Sequence, residues 1–335
     1  PAQPKAEFSG GVAIGVQRHI FVADTDAEAR RFAKPAMDRH LAHLNWLRAK
    51  HGETGLTSRL NVPRGADFEA CVADRTVIAG SPQTVRAEIE RQVLDATLTN
   101  PNVLGVIYAT VYTRKVTLPA ALSKVPTVLL NCYTSDSELS SVVPAEVAGG
   151  HTATEYLLNA GHRRIGYVNG EPWQDASRDR LKGYRMALAT ADLPFAAELV
   201  REGDWSSGSG FEQTLSLMRE PNPPTAIFCA NDLMALGAIE ALKQLGLRVP
   251  EDVSVLGYDD QEIARHTHPP LSTVVLPNYE LGRWAVETLL QEEHNRAAGA
   301  PVRRRTVKLD GPLVERASVR VITVAKQPAT NNISD

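Results

Sequence analysis

Three cysteines in 335 residues, Cys71, Cys132 and Cys229, are too few and too far apart for a disulfide framework. None stands in the CxxC spacing of a zinc site. No apolar run reaches the roughly 18 residues that a membrane span needs, which excludes a helical membrane protein. Basic charge is scarce as well. The 36 Lys and Arg against 39 Asp and Glu leave a net charge of −3, without the positive footprint of a dedicated nucleic-acid binder. The one basic cluster, Arg303-Arg304-Arg305, reads as a solvated turn. Pro1 to Glu7 lacks the basic region and apolar stretch of a secretory signal, so a reducing cytoplasm is the expected setting. Cys132 and Cys229, each at the end of an apolar run, read as small core residues.

Catalytic and metal signatures are equally sparse. Ser9-Gly10-Gly11-Val12-Ala13-Ile14-Gly15 is glycine-rich but precedes its strand, the wrong order for a dinucleotide loop. Ser206-Ser207-Gly208-Ser209-Gly210 lacks the glycine two residues before Ser209 that a nucleophile elbow needs, and reads as a turn into a helix beginning at Phe211. His266 and His268 alternate, and His40 and His43 are three apart, but neither pair has a third ligand nearby, so surface histidines are expected. No metal and no cofactor is expected.

What the chain does have is length for two domains and, from Asn102 onward, a regular alternation of β-branched runs with amphipathic stretches. Strands are expected at Val103–Tyr108, Val125–Asn131, Arg164–Asn169, Thr225–Cys229 and Val253–Tyr258. Helices are expected at about 148–160, closed by Gly161, at 177–191, and after Asn231 and Asp232 as N-cap candidates, closed by Gly246. The strands end at Asn131, Asn169, Asn231 and Asp259. In doubly wound sheets ligands bind outside the carboxyl ends of strands, so these positions should converge on one site, a cleft between two such lobes.

Five segments recur in order: Gly161-His162-Arg163-Arg164-Ile165-Gly166, Ser177-Arg178-Asp179-Arg180-Leu181-Lys182-Gly183-Tyr184, Ala230-Asn231-Asp232-Leu233-Met234-Ala235-Leu236-Gly237, Val249 to Asp260 and Pro269 to Val274. Together they resemble the effector-binding domain of the LacI/GalR regulators over residues 101–320. The resemblance implies an α/β, periplasmic-binding-protein-like fold: two doubly wound parallel-sheet lobes with a hinged cleft for a small, carbohydrate-type effector. It also implies a homodimer, and operator DNA as a partner only where a DNA-binding module is supplied, since no helix-turn-helix is recognisable here. The family's effector contacts carry over by motif position onto Arg178, Asn231 and Asp259, and onto Trp205 by its place in Gly203-Asp204-Trp205-Ser206. Trp173, in the loop after a strand, is a second stacking candidate. A guanidinium fork, an amide and a carboxylate can bracket hydroxyl groups while an indole packs on C–H surface. Plainer roles stand beside these: Asn231 as a helix cap, Arg178 paired with Asp175 or Asp179, either tryptophan as core.

Residues 11–96 resemble a different family. Arg18 to Arg30 and Ala79 to Arg86 are similar to the C-terminal part of luciferase-like, flavin-dependent monooxygenases, which implies a fusion joined near Asp95 to Pro101. Those enzymes are (β/α)₈ barrels of ~250 residues, so a segment this short is not expected to bind flavin or catalyse. Its expected order is a strand over 12–22, a helix over 27–50 capped by Asp24, a strand over 75–79 and a helix from Pro82 to about Leu98. Such an order would let it complete the N-terminal lobe, with 321–335 as a flexible tail. The alternatives to a regulator are a flavin-dependent monooxygenase and a sugar-binding protein of transport or chemotaxis.

Overall fold

The computed structural model describes residues 19–51, 67–73, 77–98, 103–135 and 138–322. The chain separates into two compact units, Pro1–Val103 with Pro119–Leu122, and Leu104–Leu118 with Ser123–Asp335. Among the described residues no helix is long and apolar enough to cross a membrane.

In the first unit, β1 (His19–Val22) leads into α1 (Asp26–His51), followed by α2 (Phe68–Ala73), β2 (Val77–Gly80) and α3 (Pro82–Leu98). The helix N-cap is Thr25, whose hydroxyl accepts from the Glu28 N–H at 3.2 Å, in place of the expected Asp24. The Asp26 carboxylate instead reaches back to the Ser81 N–H at 2.6 Å and tethers the start of α1 to the start of α3. β1 and β2 pair in parallel, His19 opposite Val77, as a two-stranded sheet of their own. Their buried side chains find partners within the unit, where Ala33, Met37, Leu41, Phe68, Cys71 and Val77 form one small core. Residues 12–18 of the expected first strand and His43 of the histidine pair lie outside what the structure describes in full.

The second unit starts with β3 (Val106–Lys115), β4 (Thr127–Tyr133), β5 (Ser140–Pro144) and α4 (Glu146–Asn159). It continues with β6 (Ile165–Asn169), α5 (Asp175–Thr190), β7 (Val200–Glu202), α6 (Ser207–Met218), β8 (Ala226–Cys229) and α7 (Asp232–Gln244). β9 (Ser254–Asp259), α8 (Ile263–His266), β10 (Ser272–Val275), α9 (Asn278–Ala297), β11 (Thr306–Leu309) and β12 (Leu313–Val314) complete it. Two sheets result. The four-stranded sheet runs β11-β5-β4-β3, all parallel, and the six-stranded sheet runs β12-β10-β9-β8-β6-β7, parallel except for β12. The chain passes between the sheets after β5, after β10 and again after β11, so each sheet is assembled from separated segments. This is the two-lobed, doubly wound α/β architecture the sequence implied.

The six-stranded sheet holds the larger core. β6, β8 and β9 are buried along almost their whole length, as a parallel sheet covered on both faces requires. Tyr167 stacks between Tyr184 of α5 and Phe228 of β8, with ring centroids 5.2 and 4.8 Å apart. Each such ring contributes about 1.5–3 kcal/mol by burial alone. Cys132 and Cys229 are fully buried, and neither is in a disulfide. His162, also buried, bonds through both ring nitrogens, to Thr225 Oγ1 at 2.9 Å and Ser254 Oγ at 3.0 Å. Burial pushes its pKa down to about 4. The four-stranded sheet rests on α9 through a smaller core of Val128, Val142, Leu281 and Ala285.

Three caps of the second unit follow the sequence signals. Gly161 and Gly246 carry positive φ after α4 and α7, and Asn231 caps α7. The helix expected from Phe211 already begins at Ser207, because the Ser206 hydroxyl accepts from the Ser209 N–H at 3.1 Å and caps it. Of the expected tail, Ile322 is tied in, its N–H donating to the Ala160 carbonyl at 2.6 Å, Val321 beside it is exposed, and residues 323–335 lie outside the described residues.

Candidate functional site

The carboxyl ends of the parallel strands in both sheets of the second unit face one cavity of about 280 Å³. From the four-stranded sheet come Val111, Tyr112 and Thr113 of β3, Asn131 of β4 and Pro144 of β5. From the six-stranded sheet come Gln174 and Arg180 at α5, Trp205 after β7, Asn231 after β8 and Asp259 at the end of β9. Glu146, the first residue of α4, stands where the chain crosses from one sheet to the other.

Arg180 is the most constrained of these residues. On α5 the buried positions are Ala176, Ser177, Arg180, Gly183, Tyr184, Ala187 and Leu188, a single stripe at 3.6-residue spacing. Arg180 is therefore carried inward by its helix, at 3% exposure. Its Nε and Nη2 donate to the two Glu146 oxygens at 2.6 and 2.9 Å, and Nη1 donates to the Ala230 carbonyl. The ring of Tyr258 covers its face at 3.6 Å, and Asp259 Oδ1 lies 3.7 Å from Nη1. Burial opposes the guanidinium charge, but Glu146, Tyr258 and Asp259 outweigh it and hold the pKa above the ordinary arginine value. The pair forms because α4 and α5 touch backbone to backbone. A Cβ on Gly150 would fall 2.3 Å from the Arg180 carbonyl oxygen, and one on Gly183 would fall 2.2 Å from that of Val147. Gly150 is one turn beyond Glu146 and Gly183 one turn beyond Arg180, so the glycines set the approach that the ion pair needs.

Three lining residues carry left-handed backbone: Asn131 at φ 58°, Trp205 at 69° and Asp259 at 110°. For residues other than glycine such conformations cost about 1–3 kcal/mol each and persist where surrounding bonds over-determine them. Those bonds are present. Asn131 accepts from Thr113 Oγ1 at 2.5 Å and donates to the Thr110 carbonyl at 3.2 Å. The Trp205 carbonyl accepts from Asn231 Nδ2 at 2.9 Å, while Asn231 Oδ1 accepts from the Met234 N–H at 2.8 Å. Gly170 makes room for the indole, since a Cβ there would stand 2.1 Å from it. The Trp205 Nε1 is buried and has no hydrogen-bond partner. Burial pushes the Asp259 carboxyl up to about 6 against the opposing pull of Arg180, and Gln261 Nε2 donates to it at 3.0 Å. The site therefore combines indole and phenol surface with the partly buried Asp259 carboxylate, three amides (Asn131, Gln174 and Asn231) and a hydroxyl.

The structure brings Asn231, Asp259 and Trp205 of the expected site together and leaves two residues outside. Arg178 is not a lining residue. Its position, two residues or about 200° around α5 from Arg180, turns it outward at 55% side-chain exposure. There it pairs with Asp175 and donates to the Trp173 carbonyl at 2.7 Å, the plainer of its two expected roles. Trp173 is 57% exposed and meets Tyr112 edge to face at 5.6 Å without lining the cavity. The residues missed were Arg180, Glu146, Tyr112, Thr113 and Gln174. For Arg180 the helical stripe of α5 was a usable signal. Glu146 follows a proline-terminated strand with no motif to mark it. His266 and His268 are exposed, and among the described residues no cluster of three metal-ligating side chains occurs.

Comparison with known proteins agrees with this geometry. Residues 154–319 match the periplasmic binding protein-like domain. Over 170 residues the chain is 39% identical to the ribose operon repressor of Haemophilus influenzae, covering 51% of this chain and 51% of that protein. A LacI-family transcriptional regulator from Rhizobium etli superposes with a TM-score of 0.62 at 30% identity, over 75% of this chain and 90% of that one. The transcriptional regulator CelR, in complex with cellobiose, superposes with a TM-score of 0.57 at 26% identity, over 90% of this chain and 85% of that one. The chain spans about half the length of the curated relatives it matches. The luciferase-like resemblance of residues 11–96 has no counterpart in these matches.

Proposed function

The chain belongs to the LacI family of transcriptional regulators through its effector-binding domain, and from that membership we propose that the cavity binds a small polyhydroxylated effector, a carbohydrate. The observation that carries the proposal is the convergence of Trp205 and Tyr112 with Asn231, Asp259, Thr113 and Asn131 from the strand ends of two sheets. Aromatic faces cover the C–H surface of a sugar ring, and paired donors and acceptors match its hydroxyl groups. The volume, about 280 Å³, lies near the lower end of the roughly 300–1,000 Å³ usual for small-molecule sites. That a regulator of similar structure is complexed with cellobiose supports the same class of ligand.

Because the wall residues belong to two sheets, a bound sugar bridges them and favours whichever arrangement of the lobes makes more contacts with it. Such a ligand acts on a partner only through its different affinity for the two arrangements. The partners in this reading are a second copy of the chain and operator DNA, the latter where a DNA-binding module is joined. A thermal-shift screen of the folded chain against mono- and disaccharides tests the reading. One or more sugars should raise the midpoint in a saturable way, and a flat response across the panel would count against it.

A further inference from the structure

An arginine in a ligand cavity is ordinarily an anion clamp, because its fork matches carboxylate and phosphate with two parallel hydrogen bonds. Here that fork is filled from within. Glu146, itself 4% exposed, takes both the Nε and Nη2 donors of Arg180, the Ala230 carbonyl takes Nη1, and Tyr258 covers the guanidinium face. Two carboxylates, Glu146 and Asp259, thus line the cavity against one cation. Nearby charges do not redress the difference. Arg178 is bound to Asp175 outside the cavity, and Arg114 lies over the Tyr112 ring at 5.3 Å without being a lining residue. Asp260 is held by Arg316 at 2.5 Å, with Arg265 at 3.7 Å.

We propose that Glu146 is a specificity-determining residue: by occupying the anion-binding edge of Arg180 it leaves the cavity net negative, open to neutral and amino sugars and closed to sugar phosphates and sugar acids. The proposal rests on the carbohydrate reading for its ligand class, but the charge selection itself follows from the two carboxylates and one engaged cation. A phosphate entering the cavity meets like charge in a desolvated space, where such juxtaposition weakens binding by roughly 100-fold or more. With Glu146 neutralised, the same guanidinium is freed to take an anion.

The experiment is a calorimetric and thermal-shift titration of the full chain and its Glu146→Gln variant. The probes are a panel of neutral sugars, their 6-phosphates, their 2-amino derivatives and inorganic phosphate. The wild-type chain should bind a neutral or amino sugar, bind the matching phosphate at least about 100-fold more weakly, and give no response to inorganic phosphate. Glu146→Gln should gain a saturable midpoint increase with inorganic phosphate. Wild-type binding of a sugar phosphate as tight as that of its parent, or no phosphate response in Glu146→Gln, would overturn the proposal. Failure of every sugar to bind would defeat the carbohydrate reading, and the inorganic phosphate comparison would still decide the role of Glu146. Should Glu146→Gln not fold, Asp259→Asn, which removes one negative charge but keeps the Glu146–Arg180 pair, should narrow the gap between a sugar and its phosphate while still giving no response to inorganic phosphate, and a response there would overturn the role of Glu146.

Discussion

The six-stranded and four-stranded sheets line the same cavity with unequal backing. Behind the first, the Tyr167, Tyr184 and Phe228 stack and a continuous aliphatic core hold the strands, and each site residue is tied down by groups of that sheet or its helices. Asn231 is fixed by Met234 and Trp205, and Arg180 by Ala230 and Tyr258. Behind the second, a few residues of β4, β5 and α9 form the core, and Val111 at the rim is 96% exposed. Its polar side chains, Thr113 and Asn131, are satisfied mainly by each other and by the Thr110 carbonyl. One wall is therefore preorganised and the other adaptable. Ligand affinity should concentrate on the first, while the second supplies the contacts that change when the lobes move.

Substitutions sharpen this contrast. Arg180→Ala should cost about 3–5 kcal/mol in chemical denaturation, because it leaves the buried Glu146 carboxylate unpaired, and should abolish any sugar response. A loss under about 1 kcal/mol would mean the pair does not organise the first wall. Acid is the next lever. The unfolded chain protonates His162 near its ordinary value of 6.5, whereas the folded chain does so only at about 4. Stability from this group is thus lost as pH falls from 6.5 to 4, by about 3 kcal/mol in all. Asp232 and Asp259, pushed up by burial to about 7 and about 6, act in the opposite sense, since the folded state takes up their protons first as pH falls. Comparing denaturation of wild type and His162→Gln at pH 7 and pH 5 isolates the histidine. The difference between the two chains should shrink at the lower pH, and an unchanged difference would refute the assignment.

Smaller effects separate the two walls. Asn231→Ala should lose about 1–2 kcal/mol of stability with its helix cap and weaken sugar binding strongly, while Thr113→Val should lose less stability and weaken binding only about tenfold. Equal effects at the two positions would erase the distinction drawn between them. Arg178→Ala, which removes an ion pair with Asp175 and a hydrogen bond to the Trp173 carbonyl from an exposed side chain, should change stability by no more than about 1 kcal/mol and leave sugar binding intact.

Arg178 and Arg180 also mark where the sequence could and could not be read. The alternation of apolar runs, the glycine caps at 161 and 246 and the ordered motifs gave the two-lobed fold, because strand burial and helix capping are local and periodic. Asn231 and Asp259 were legible as strand-end residues. Arg178 was chosen by motif position where the stripe through Tyr184 and Leu188 already pointed to Arg180. Glu146 and Thr113 were not legible, since their place in the cavity depends on which strands neighbour one another, and that order follows from chain crossings between sheets. The strands at 19–22 and 77–80 fall at or beside the expected 12–22 and 75–79, but their pairing with each other was not legible. Hydrophobic pattern identifies a strand, and only long-range pairing chooses its neighbour.

On the proposed reading, the cavity of the second unit is a carbohydrate site organised by the six-stranded sheet. The most direct test is tryptophan fluorescence titration with neutral mono- and disaccharides, following the wild-type chain beside Trp205→Phe. Trp205 lines the cavity and its buried indole N–H lacks a partner, so a bound sugar should change the emission saturably in the wild type and leave it nearly unchanged in the variant. A saturable change that survives Trp205→Phe, or none with any sugar in the folded wild-type protein, would mean that the cavity is not the sugar site.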